Sequence, residues 1–259
     1  MRCGPDRTAL VKGPVEIAPG VHGLGSEMVN WYLVEQAGKL TAVDAGLPGF
    51  KRHLEADLRV LGRTPRDVVA VVLTHADADH TGVIPDLQRA GARVLVHGAD
   101  ADFLRRPGLK GGDANVRNIL PHLVRPATWK IGAHIAREGG ARPPKVEGAE
   151  TFEDGDVLDL PGAPRVVHTP GHTPGHCVLS FERAGVAFTG DALCTWNPLT
   201  GRRGPQLMPT ALNVDTDGAE RALALVEEVD ASVVLPGHGD PLHDSLANAV
   251  AAARQAGRS

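Results

Sequence analysis

At 259 residues the chain can bury a substantial core as one large domain or two small ones, and its 42% hydrophobic and 22% charged content is that of an ordinary globular protein. A net charge of −4 with 3% aromatic residues offers no general attraction for nucleic acid or an anionic membrane, and little material for base stacking. Cys3, Cys177 and Cys194 form neither an even set nor a CxxC pair, the first residues lack a signal-peptide core, and no run approaches the roughly 18 apolar residues of a spanning helix, so a reduced cytoplasmic protein is expected.

Residues 28–35 and 40–44 read as paired strands around a turn at 36–39. Pro48 opens a helical pattern with Phe50, Leu54, Leu58 and Leu61 on one face, closed by Gly62. A strand at 68–73, a helix at about 82–90 and a strand at 93–97 continue the alternation. The segment from about 105 to 150 interrupts it with one amphipathic stretch, 115–137, broken by Pro121 and Pro126. A lid, a homodimer contact or a helical cap that only packs would each fit this insertion. Strands then fall at 165–168, 177–181, 186–189 and 232–235, with helices at about 218–228 and 243–256. The result is two α/β halves within one domain spanning 1–259, each a sheet with helices packed outside.

Chemistry concentrates in His75-Ala-Asp77-Ala-Asp79-His80, four candidate metal ligands directly after the apolar run 68–73. Three later fragments, each after a β-like run, add His172, Asp191 and His238. In a turn after a strand, His75 and Asp77 can face one way and Asp79 and His80 the other, so one loop serves two cations. Asp191 is the natural bridge, since a carboxylate offers two oxygens. Two adjacent divalent ions lower the pKa of a shared water, and the hydroxide so formed would be the nucleophile, with Asp79 as proton shuttle. A solvated acidic turn is the bland reading of 75–80, and the three distant fragments weigh against it. His176 reads as a hydrogen-bonded structural histidine, and Cys194 as a packed thiol.

These fragments, with Asp44 ahead of them, resemble in order and spacing the five motifs of the metallo-β-lactamase superfamily. The resemblance implies a four-layer αβ/βα sandwich with a helical insertion, and metals at the rim of two facing sheets. It places one ion on His75, Asp77, His172 and Asp191, and the other on Asp79, His80, Asp191 and His238. Asp44 would orient the ligand loop by hydrogen bonding. One departure is plain: the family's His-x-His-x-Asp-His has Asp77 in place of its second histidine. An oxygen-richer site shifts preference from zinc towards manganese or iron, so the two divalent ions are zinc, manganese or iron.

The function so implied is hydrolysis of an ester, lactone, thioester or amide in a small molecule, with no nucleic-acid or membrane partner. The alternatives are a diiron-type redox protein on the same scaffold, or a phosphodiesterase or nuclease. Substrate choice is expected from the insertion and from 193–209, where Trp196, Arg202 and Arg203 are candidate substrate contacts.

Overall fold

A computed structural model describes residues 11–108 and 111–259, so Cys3 and the leading segment lie outside the described residues. Seven strands form the first sheet in sequential order: β1 (Val11–Ala18), β2 (Val21–Ser26), β3 (Asn30–Gln36), β4 (Lys39–Val43), β5 (Val68–Val72), β6 (Arg93–His97) and β7 (Glu150–Phe152). The first four are antiparallel; β5, β6 and β7 add in parallel. The second sheet runs β13 (Val233–Pro236), β10 (Val186–Gly190), β9 (Cys177–Phe181), β8 (Arg165–His168), with β13 parallel to β10. A separate hairpin pairs β11 (Cys194–Trp196) with β12 (Arg203–Gln206).

Alternation along the strands builds the layers. On β3, Trp31 and Leu33 enter one core while Tyr32 and Val34 enter another, because successive side chains point to opposite faces. The first core lies between the large sheet and the helices α1 (Lys51–Val60), α2 (Ile84–Arg89), α3 (Ala101–Arg105) and α5 (Pro126–Arg137). The second lies between the sheets, where Val43, Val72 and Leu95 meet Leu179, Phe188 and Leu235. A third joins the small sheet to α6 (Thr216–Glu227) and α7 (Leu246–Ala256). Four layers result, helices outside and sheets within. Strands buried on both faces read as continuous apolar runs, which is why 68–72 and 233–235 stand out in the sequence.

The helices begin where the chain supplies caps. The Asp215 carboxylate accepts from the Gly218 amide at 2.8 Å to open α6, and the Ser245 hydroxyl accepts from Asn248 at 3.2 Å to open α7. Within the insertion Pro121 and Pro126 act as breaks: α4 (Val116–Ile119) passes into a 3₁₀ turn over Leu120–Val124, and Pro126 starts α5. Residues 28–29, expected in a strand, form a tight turn instead, closed by the Ser26 amide on the Val29 carbonyl at 2.8 Å. Among the described residues no helix is long and apolar enough to cross a membrane.

The two sheets are pinned together at one end. Asn30 Nδ2 donates to the carbonyls of Pro236 (3.0 Å) and Gly239 (2.6 Å), and the Tyr32 hydroxyl donates to Pro236 at 2.6 Å. The Cys177 amide adds a bond to the Thr74 carbonyl at 2.8 Å. Replacing Asn30 by Ala leaves buried carbonyls short of a donor and is expected to cost about 2 kcal/mol. In urea denaturation the midpoint should fall with an unchanged slope; an unaltered midpoint would remove this clamp from the account.

Candidate metal centre

The loop after β5 is shaped by Asp44, which sits just past β4 with φ 59°, a left-handed conformation uncommon outside glycine. Its carboxylate accepts from the Thr74 amide (2.8 Å), the Thr74 hydroxyl (2.9 Å) and His80 Nδ1 (2.9 Å), so it holds both ends of the 74–80 turn. Asp100, fully buried after β6, accepts from the Ala76 amide (3.1 Å), the Thr173 hydroxyl (2.7 Å) and the Gly175 amide (2.7 Å). It thereby ties the first ligand loop to the one carrying His172. No sequence reading singled out Asp100; its only mark was an acidic residue shortly after a strand.

All seven candidate ligands come to one place. His172 Nε2 lies 3.1 Å from Asp77 Oδ2 and 3.2 Å from Asp191 Oδ2, and His238 Nε2 lies 3.4 Å from Asp79 and 3.3 Å from Asp191. His75 and His80 approach Asp191 at 3.9 and 3.7 Å, one from each side. Three sets have ligand atoms mutually within 4.8 Å: His75, Asp77 and His172; Asp79, His80 and His238; and His75, His80 and Asp191.

Each imidazole is aimed by its other nitrogen. His75 Nδ1 donates to the Thr74 hydroxyl (3.0 Å), His80 Nδ1 to Asp44, His172 Nδ1 to Asn213 Oδ1 (3.0 Å) and His238 Nδ1 to the Met28 carbonyl (2.5 Å). All four Nε2 atoms therefore face the carboxylates. His75 Nε2, His80 Nε2 and Asp191 Oδ1 are buried without a hydrogen-bond partner. Buried polar atoms are rarely left so, and three of them converging here fit a pair of divalent cations. His176 plays the structural part expected of it: Nδ1 donates to the Thr169 hydroxyl (2.9 Å), and Nε2 accepts from the Asp191 amide (3.0 Å).

Two glycines permit the approach. Gly239 has φ 95°, whereas Gly237 is not left-handed and serves space instead. A Cβ there would lie 2.4 Å from Asp191 Oδ1 and 2.7 Å from His80 Cε1.

Charge balance follows from the cage. Burial alone would raise the Asp191 carboxyl, but the imidazoles of His238, His172 and His80 outweigh it and hold it well below the ordinary range. Burial would likewise depress His80; Asp44, Asp79 and Asp191 reverse this and push it to about 10. His238 is pushed to about 9 in the same way, chiefly by Asp191. Without an ion, protons supply the compensating charge. Burial raises the thiols of Cys177 and Cys194, which makes neither a nucleophile.

Above the ligands opens a cavity of about 390 Å³. Asp77, Asp79, His172, Asp191 and His238 line its floor. Ile119, Ile131 and Ile135 of the insertion and Leu199, Met208 and Leu212 form apolar walls, with Asn115 and Thr128 as polar points. The insertion thus covers the site as well as packing. The candidate substrate contacts of the sequence reading do not line this cavity. Trp196 is buried in the first core, Arg202 donates to the Ala256 carbonyl, and Arg203 pairs with Asp240 at an exposed position. They belong to the 194–206 hairpin, whose pairing turns them away.

A profile of the metallo-beta-lactamase superfamily matches residues 24–238, from β2 through the last ligand. The chain belongs to the metallo-β-lactamase superfamily. Among curated members it is 32% identical to the uncharacterized protein YobT of Bacillus subtilis (strain 168), over 63% of this chain and 61% of YobT. It is 26% identical to the probable metallo-hydrolase YflN of the same organism, over 88% of this chain and 86% of YflN. It is 27% identical to the acyl-coenzyme A thioesterase MBLAC2 of Bos taurus, over 81% of this chain and 72% of MBLAC2. A crystal structure of a metallo-beta-lactamase family protein from Thermus thermophilus superposes with a TM-score of 0.67 at 26% identity, covering 93% of this chain and 80% of that one.

Within this superfamily member the metal centre predicts two results. Gly237→Ala should drive Asp191 aside and lower metal content well below wild type in protein purified without chelator, with circular dichroism unchanged; full metal content would refute the close-approach argument. His80 and His238 are protonated at neutral pH in the ion-free chain, while a metal needs their Nε2 lone pairs. Zinc titration at neutral pH should therefore release protons, and affinity should strengthen as pH rises towards 9. Calorimetry in buffers of different ionisation enthalpy reads this directly, and equal heats across buffers would contradict it.

Proposed function

We propose that this chain is a binuclear metal-dependent hydrolase cleaving an ester, lactone, thioester or amide of a small molecule, with an apolar acyl group as its preferred class. The observation that carries this reading is the cavity: its floor is the ligand cage, its walls are aliphatic, and among the described residues no lysine or arginine lines it. An aliphatic wall gains about 25 cal/mol for each Å² of apolar substrate it covers, and offers nothing to a carboxylate or phosphate. That composition disfavours a phosphodiester or nucleic-acid substrate. The names of YflN, a probable metallo-hydrolase, and MBLAC2, an acyl-coenzyme A thioesterase, support the same class.

His75, Asp77, His172 and Asp191 would hold one ion, and Asp79, His80, Asp191 and His238 the other. Divalent ions so placed supply an activated water near neutral pH and a Lewis-acid contact for the carbonyl oxygen. The chain's own residues do the rest. Asp44, Thr74, Asn213 and the Met28 carbonyl keep the imidazoles aligned, so little reorganisation is needed as charge develops. Asp77 and Asp79 keep about a fifth of their side-chain surface exposed at the cavity floor, at 20% and 16%. In this reading Asp79 would take a proton from the attacking water and return it to the leaving group. The aliphatic walls exclude bulk water and seat the acyl chain.

The oxygen donor at Asp77 keeps one second reading in play, a diiron redox centre on the same ligands. Elemental analysis and a panel of chromogenic esters and thioesters separate the two. Cleavage that Asp191→Ala and His80→Ala abolish, with fold retained, is the expected result. Ile119→Glu should raise KM for longer acyl chains with little change in kcat. Iron with a visible absorption band, oxygen consumption with a reductant and no cleavage would overturn the hydrolase in favour of the redox centre.

A further inference from the structure

We propose that the helical cap is a lipid-facing surface, on which the exposed apolar side chains of residues 120–129 enter the interface of a bilayer rich in anionic lipid. Nine large hydrophobic side chains are exposed among the described residues, and four of them fall in this one stretch, outside the cavity lining: Leu120, Leu123, Val124 and Trp129. Val124 is 86% exposed and Trp129 64%. Trp129 is fastened to the 3₁₀ turn, its indole Nε1–H donating to the Leu123 carbonyl at 2.7 Å, so indole and aliphatic groups belong to one local unit. A concentration of this kind on a water-facing cap marks a surface meant to be covered.

Charge identifies the cover. Residues 111–130 contain three basic side chains, Arg117, Arg125 and Lys130, against the single carboxylate of Asp113, in a chain whose net charge is −4. Arg117 and Arg125 are exposed and pair with no carboxylate among the described residues, and Lys130 approaches Glu27 only at 3.8 Å between exposed groups. An indole and aliphatic residues flanked by arginine and lysine form the pattern of an element lying in a membrane interface, with the rings at headgroup depth and the cations against anionic lipid. A second copy of the chain fits this face less well, since two-fold pairing would set the same arginines against one another. Other side chains of the same elements, Val116, Ile119, Ile131 and Ile135, line the aliphatic cavity. Resting on the hydrolase reading above, a membrane-dissolved acyl substrate would then have a short path to the metals; lipid docking itself stands apart from catalysis.

Trp129 makes the test specific, because the other two tryptophans, Trp31 and Trp196, are buried. The probe is sedimentation and tryptophan emission with vesicles of phosphatidylcholine alone, and of phosphatidylcholine with an equal part of phosphatidylglycerol. The proposal expects co-sedimentation with the mixed vesicles, weakened by salt, and a blue shift that Trp129→Ala removes. Leu120→Asp with Val124→Asp should abolish binding, and Arg117→Glu with Arg125→Glu should weaken it by about tenfold or more. Leu120, Val124 and Arg125 lie outside the cavity lining, so turnover of a soluble ester by the Leu120→Asp/Val124→Asp variant reports a correct fold. Measuring the chelator-stripped protein as well keeps failure of docking separate from failure of the metal reading. Protein left in the supernatant with both vesicle types overturns the proposal. So does self-association that Val124→Asp abolishes while vesicles are ignored, which would make the face an interface between copies.

Discussion

Everything in this molecule answers to one electrostatic constraint: Asp191 is buried at the meeting point of four imidazoles and two further carboxylates. Like charges at such distances repel strongly where water is excluded, so the arrangement persists only with compensating positive charge. The fold meets this by fixing direction before charge. Four ring nitrogens are spent on neighbours as different as a carboxylate, a hydroxyl, an amide oxygen and a backbone carbonyl, leaving the other four with a single way to point. Asp44 takes a left-handed backbone conformation and holds Thr74 and His80 at once.

The ligand cage and the cavity walls come from different parts of the chain. The ligands stand on strand ends and short loops braced by buried hydrogen bonds through Asp100, Asn30 and Tyr32. The cavity walls come largely from the insertion between β6 and β7, whose short helical pieces are separated by prolines and expose much of their surface. Such a cap can change side chains without disturbing the cage beneath it, which is how one scaffold can host different functions.

Much of the architecture was legible because its signals are local. The unbroken apolar runs of β5 and β13 mark strands, and the His and Asp spacing at 75–80 marks side chains that do gather in one cluster, without tertiary knowledge; Pro121 and Pro126 mark real breaks. Other features were hidden because they exist only through contact. Asp100 and Asn213 look like ordinary loop residues until the chain brings Gly175 and His172 to them. The β1–β2 pair was obscured by Pro14 and several glycines, and the register of the β11–β12 hairpin decides that Arg202 and Arg203 face away from the cavity. Gly237 was readable as a turn residue, yet its role is to leave room for a carboxylate on another strand.

The two sheets contribute ligands from opposite sides of one seam: His75 to His80 follow β5 of the large sheet, while His172, Asp191 and His238 belong to the small one. Any cation seated among them acts as a clasp that the unfolded chain cannot close, so its binding energy is added to the cohesion of the whole sandwich. Scarcity of that ion would loosen the seam first, exposing the chain to proteases.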